Sequence, residues 1–384
     1  MSSDFFRAFF MIYIHIPFCK QKCSYCNFHF STSLQFKDEM LAAMKKEIFL
    51  RKDELQDKKL QSLYFGGGTP SILSAAEINS LTDEVLKYFS FENDIEITLE
   101  ANPDDLDKNF LKGLSQSYIN RLSIGTQSFF EEDLKLMNRA HTASEAESSI
   151  KRAQDFGFEN LSIDLIYGSP TSSLEIWKEN LNKTIALEVP HISSYALTVE
   201  PKTALDNWIA KGKVSIPKEE EQNKEFYYLS DFLKDNRFEH YEVSNFAKPG
   251  FYSRHNSAYW KYKEYLGIGP SAHSYNGYDI RSWNVANNQQ YIRKLNSAIL
   301  AKETEILSQE DQFNEMIMIG LRTIWGVDLE SLNSKFSAGI FETFQKEIQS
   351  KIKEGILIIE DNHLKIPEKH WFMADGIASD LFLV

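Results

Sequence analysis

Six short segments rich in Ile, Leu, Tyr and Thr alternate with charged amphipathic stretches over the first 240 residues of this 384-residue chain. The strand-like segments are 11–16, 62–65, 95–100, 121–126, 161–166 and 192–197, and each ends in a polar or glycine-containing turn. Helical patterns fall between them at 37–52, 74–89, 144–156 and 174–187. The second opens on Ser74-x-x-Glu77, the pattern of a capping box. Strands that alternate with helices pair in parallel through right-handed crossovers, so the spacing predicts an α/β fold, either a barrel or a doubly wound sheet.

The rest of the chain reads differently. Residues 217–236 form a charged helix, and 238–284 are dense in Tyr, Trp, His and Asn without a clear period. Helical patterns return at 288–302, 308–320, 329–336 and 340–354. Strand-like 356–360 and 364–366 follow, with a turn at Asp361-Asn362 between them. The expected division is an N-terminal extension at 1–10 (Met11 being an alternative start), a βα unit at 11–240, an aromatic connecting region at 241–289 and a C-terminal helical, winged-helix-like module at 290–384.

Charge limits the partners. The chain has 42 Lys and Arg against 55 Asp and Glu, a net −13. The winged-helix-like module is acidic too, with 10 basic against 15 acidic residues from Gln290 onward, net −5. An acidic surface repels phosphate backbones, so no nucleic-acid partner is expected, and the module reads as a lid or packing element. The apolar run at 8–14 is far short of the roughly 20 residues of a membrane span and lacks the features of a signal peptide. No stable membrane insertion and a cytoplasmic location are expected.

All three cysteines of the chain, Cys19, Cys23 and Cys26, lie within eight residues as C-x3-C-x2-C. An odd number excludes a closed disulfide framework. Three thiolates this close suit a metal centre, and two kinds remain open. An iron–sulfur cluster would keep one iron without a protein ligand, since four-iron clusters normally take four cysteines. A zinc site would recruit a histidine, His29 or His15, as its fourth ligand.

The residues around the cysteines carry a resemblance. Tyr13-Ile14-His15-Ile16-Pro17-Phe18 precedes them, Tyr25 stands before the third, and Phe65-Gly66-Gly67-Gly68-Thr69-Pro70 closes the second strand segment. From about residue 11 to the end, the chain resembles the radical S-adenosylmethionine (SAM) superfamily, in the branch of the oxygen-independent coproporphyrinogen oxidases and their haem-chaperone relatives. The resemblance implies a partial (β/α)6 TIM-like barrel. It implies a [4Fe-4S] cluster on Cys19, Cys23 and Cys26, whose open iron takes the amine and carboxylate of SAM. The reduced cluster then cleaves a C–S bond to give a 5′-deoxyadenosyl radical. The family's SAM contacts match Tyr13, Tyr25, Gly67, Gly68, Thr69, Glu100, Gln127, Arg139, Asp164 and, through its backbone, Ala196. Glycines at 66–68 let backbone come close to a ligand, and the Arg139 guanidinium matches a carboxylate.

Two departures separate the branches. The oxidases carry a further Cys two residues after the third, where this chain has Phe28, and a long segment before the cluster motif, where it has 18 residues. In their place stands His255-Asn256-Ser257-Ala258-Tyr259-Trp260, which matches the H-N-x-x-Y-W signature of the haem chaperones. The resemblance makes His255, read as an exposed loop residue, the haem ligand, with Tyr259 and Trp260 beside the macrocycle; the other reading packs His255 against the barrel. The expected function is a haem chaperone that binds haem or a porphyrin and passes it to an acceptor protein, with a flavodoxin or ferredoxin as electron donor. The alternative is an oxygen-independent coproporphyrinogen III oxidase (dehydrogenase).

Overall fold

A computed structural model describes residues 10–383, so the expected N-terminal extension lies, Phe10 excepted, outside the described residues. The central unit runs β1 (Met11–Ile16), α1 (Lys37–Leu50), β2 (Lys59–Gly67), α2 (Ala75–Leu86), β3 (Ser90–Ala101), α3 (Lys108–Leu114), β4 (Arg121–Gln127), α4 (Glu131–Leu136), α5 (Ala143–Asp155), β5 (Leu161–Tyr167), α6 (Leu174–Ala186) and β6 (His191–Ala196). These six strands are neighbours in sequence order and all pair in parallel. All seven residues of β4 are buried, as expected of a strand covered on both faces. Helix starts follow local chemistry: Ser74 and Glu77 close the capping box on α2, and Thr142 and Glu145 close another on α5.

The barrel stays open because β1 and β6 do not pair with each other. After α7 (Ala204–Ala210) and α8 (Glu219–Asp235), the hairpin β7 (Glu239–Glu242) and β8 (Asn245–Ala247) adds to β6 in antiparallel sense. On the other edge, α9 (Arg254–Trp260) leads into β9 (Tyr265–Ile268), which pairs in parallel with β1. Then β10 (His273–Tyr275) and β11 (Ile280–Asn284) continue the sheet outward, and after α10 (Asn288–Asn296) β12 (Lys302–Ile306) completes it at twelve strands. The helix expected over 288–302 therefore ends early: Ala298 has φ +56, which breaks the helix, and Lys302 begins an edge strand of the main sheet.

One buried ion pair fastens this edge to α1. The Glu47 carboxylate accepts from Arg51, Asn284, the Tyr291 hydroxyl and the Gly269 amide, while Arg51 also donates to the Gly267 carbonyl.

The C-terminal module comprises α11 (Gln309–Leu321), β13 (Val327–Asp328), α12 (Leu329–Lys335), α13 (Ala338–Lys353), β14 (Ile358–Glu360), β15 (His363–Lys365) and α14 (Ala374–Ser379). Its strands form a separate antiparallel sheet in the order β13-β15-β14. Asp361 and Asn362, both at positive φ, make the tight turn of the β14–β15 hairpin. The module's core is continuous with the barrel's, and Trp371 meets His240 edge-on at 4.5 Å.

Candidate functional site

The loop after β1 carries the three cysteines and is fixed from three sides. At its root, the Cys19 amide donates to the Ser31 carbonyl (3.0 Å) and the Ser31 amide to that of Pro17 (2.9 Å). In its middle, Ser24 donates to the carbonyls of Met137 and Leu136, at the end of α4. Near its end, the Asn27 amide group donates to Glu200 at 2.8 Å. A loop without regular structure is thereby held to two separate connections, by Ser24 to the end of α4 and by the Asn27 side chain to the segment after β6.

The three thiols open into one cavity of about 510 Å3 at the carboxyl ends of the strands, the end at which barrels place their chemistry. Burial pushes the Cys19 thiol up to about 11 and raises Cys26 as well. A metal removes that penalty by holding the thiolate outright. Among the described residues no three His, Cys, Asp or Glu side chains converge on one ion. A cluster suits such spacing because each thiolate takes a different iron. His15 and His29, the candidate zinc ligands, line a neighbouring cavity instead. His15 is already bonded at both nitrogens, to the Tyr13 hydroxyl and the His29 carbonyl.

Around the thiols stand most of the expected SAM residues. Thr69 donates to the Cys19 sulfur at 3.4 Å, and Asn102 reaches Thr69 at the same distance. Arg139 donates to the Cys23 sulfur (3.3 Å), the Asn102 side chain (2.7 Å) and the Gly125 carbonyl (2.8 Å). Its Nε is buried without a partner, a donor that an incoming carboxylate would satisfy. Gln127 ends β4 at φ +65 and lines the cavity, as do Tyr25 and Ala196.

Two half-buried carboxyls form the floor. Glu100 accepts from the Tyr64 hydroxyl (2.9 Å) and the Gly67 amide (3.2 Å). Burial, reinforced by the Asp164 charge, raises Glu100 to about 8. Asp164 accepts from Ser123 at 3.3 Å, and burial raises it to about 6. Such a pair suits a cationic ligand, which favours the ionised form of each.

The glycines line the cavity and also let two segments close together. A Cβ at Gly67 would lie 2.6 Å from the His15 ring, and at Gly68 it would lie 2.5 Å from the Phe18 carbonyl. The Gly68 and Thr69 amides bond the Ile16 and Phe18 carbonyls at 2.8 and 2.7 Å. Small residues here let β2 close onto the root of the cysteine loop, so a change at these glycines reaches the thiols too.

Two expected residues lie elsewhere. Tyr13 faces the neighbouring cavity. His255 is not on an exposed loop: it sits in α9, 1% exposed. Its Nδ1 bonds Ser62 at 2.7 Å and its Nε2 bonds Tyr259 at 3.1 Å. Glu96 of β3 receives the Arg254 and His255 amides at 3.0 Å, which draws α9 inward. With both ring nitrogens engaged by hydroxyls, His255 packs α9 against β2 in this structure. The motif still reaches a cavity through Tyr259. Asn102, Ser123 and Tyr64 were missed as site residues; all three sit on or just after strand segments that were recognised, and nothing local distinguishes them from structural polar residues.

An open parallel barrel with three cysteines on the loop after β1 and a polar cavity over its strand ends defines a radical SAM-type protein. The radical SAM superfamily pattern matches residues 13–183, and the HemN C-terminal domain pattern matches 307–373. The haem chaperone HemW of Lactococcus lactis is 33% identical over 371 residues, which cover 97% of each chain. That of Bacillus subtilis is 33% identical over 90% of this chain and 92% of its own. The coproporphyrinogen III oxidase HemN of Escherichia coli, a radical SAM enzyme, shares the fold at TM-score 0.82 and 23% identity, over 98% of this chain and 90% of that one. The chain belongs to the HemW family of radical SAM proteins.

Proposed function

We propose that this chain is a haem chaperone: it binds haem and hands it to an acceptor protein. The observation that carries the reading is the 33% identity to a protein of that name across 97% of both chains. Phe28, in place of the oxidases' additional cysteine, agrees with it. Cys19, Cys23 and Cys26 would hold a [4Fe-4S] cluster, and Glu100, Gln127, Arg139, Asp164 and the 67–69 turn would hold SAM. When bound, these groups supply one-electron chemistry and a radical source. The residues of this chain shield that site, neutralise the SAM cation with two half-buried carboxyls and receive its carboxylate on Arg139. The haem acceptor and an electron donor of the flavodoxin or ferredoxin kind are the expected partners, in the cytoplasm. Among the described residues no helix is long and apolar enough to cross a membrane.

The test is anaerobic incubation with coproporphyrinogen III, SAM and a reductant, beside transfer of haem from the loaded protein to a haem-free acceptor such as apomyoglobin. Transfer without porphyrinogen conversion is expected. Steady conversion to protoporphyrinogen IX would make the chain an oxidase.

A further inference from the structure

The neighbouring cavity, about 780 Å3, shares Asn27, Phe28, Gly67 and Glu100 with the cysteine cavity. Its volume lies within the roughly 300–1,000 Å3 of cofactor sites. Three histidines face it, and their states differ. His15 is spent on Tyr13 and His29. His29 bonds Asn288 through Nε2 at 2.7 Å, which leaves the more hindered Nδ1 beside its own backbone. His273 is exposed in β10, its ring 5.9 Å from that of Trp283, and among the described residues that ring makes no hydrogen bond.

We propose that this cavity is the haem site and that His273 supplies the axial nitrogen to the haem iron. The assignment rests on the chaperone reading above. A bare ion needs several protein donors, and among the described residues no three converge. A metalloporphyrin brings four nitrogens of its own and needs one imidazole. The walls suit a flat macrocycle: Tyr259 and Tyr265 meet edge-to-face at 4.7 Å, and Phe28 at the shared mouth is 69% exposed. Aromatic faces of this kind pack against planar rings. The H-N-x-x-Y-W motif then contributes its tyrosine, with His255 as the positioning residue that holds the Tyr259 hydroxyl.

The experiment is titration of the anaerobically reconstituted full chain with haemin, read by absorbance and magnetic circular dichroism, and with iron-free protoporphyrin IX, read by fluorescence. His273→Ala is expected to weaken haem binding by about tenfold or more and to lose the histidine-ligated spectrum. Added imidazole should restore that spectrum, while protoporphyrin affinity and cluster absorbance stay as in the wild type. His29→Ala should keep the wild-type haem spectrum. An unchanged haem spectrum and affinity in His273→Ala, or their loss in His29→Ala instead, would overturn the assignment and leave the chaperone reading standing. A wild-type chain that takes up no haem would overturn both.

Discussion

Arg139 donates to the Cys23 sulfur at 3.3 Å, from 116 residues further along the chain. The same guanidinium spans Asn102 and the Gly125 carbonyl, so one side chain links the cysteine loop to the ends of β3 and β4. Arg139→Lys keeps the charge and loses the planar fork. SAM binding should weaken by roughly 10- to 100-fold, the cost of about 1–3 kcal/mol in unmade hydrogen bonds. Iron content after reconstitution should stay near the wild type. Calorimetric titration with SAM, beside an iron assay, checks both; unchanged affinity would return Arg139 to a structural role.

Removing a thiol should act the other way round. Cys23→Ala takes away one cluster ligand and the Arg139 partner together, so the broad visible absorbance and SAM binding should be lost in step. Full iron retention in this variant would contradict the cluster assignment.

The two cavity carboxyls predict a pH dependence. Glu100 is raised from an ordinary 4.5 to about 8, and Asp164 from 3.8 to about 6. The folded, empty protein therefore holds more protons than the unfolded chain between those values. Their contribution to stability is complete below the ordinary carboxyl values and declines as pH rises through about 6 and then about 8. A cationic ligand reverses the preference, because it favours ionised Glu100. SAM affinity should rise from pH 6 to 8, by up to about tenfold per unit, with protons released on binding. Glu100→Gln should flatten the slope above pH 7. Titrations in buffers of different ionisation heat measure the released protons, and none released at pH 7 would sink this account.

The latch between α1 and the outer sheet gives a stability test. Glu47 and Arg51 are each 1% exposed, and the carboxylate serves four partners, at the end of α1, just after β9, in β11 and in α10. Glu47→Ala leaves Arg51 buried without its main counter-charge, a change that costs about 3–5 kcal/mol. Urea unfolding should show that loss. A shift under about 1 kcal/mol would mean that water or Glu54 replaces the carboxylate.

The six parallel strands were legible because each is a short apolar run bounded by turn residues, and β1 was read to the residue. The Ser74–Glu77 capping pattern made α2 readable at its start, whereas the Thr142–Glu145 box of α5 was not recognised and that helix was placed by its period alone. The stretch from 238 to 284 was opaque for a physical reason: β7 to β11 are three to five residues long, too short for period-two alternation to show. Gly267 interrupts the four-residue β9 and weakened its strand signal, although it extends the parallel run beside β1. His255 was misplaced for the same reason. Its helix has seven residues, and the Glu96 carboxylate that draws it inward is 159 positions away. The cysteines and the 66–69 turn could be read because their spacing is local; Arg139 was reached through motif resemblance alone, and its contact with Cys23 was not anticipated, since nothing in spacing predicts it.

The central claim is that a SAM-type iron–sulfur barrel serves here to carry haem. Its most direct test is the stoichiometry of haem uptake by the anaerobically reconstituted chain, followed by absorbance to saturation. The account predicts one haem per chain, held by a histidine nitrogen, with the cluster intact. Uptake that never saturates, or no uptake at all by a chain with a full cluster, would contradict it.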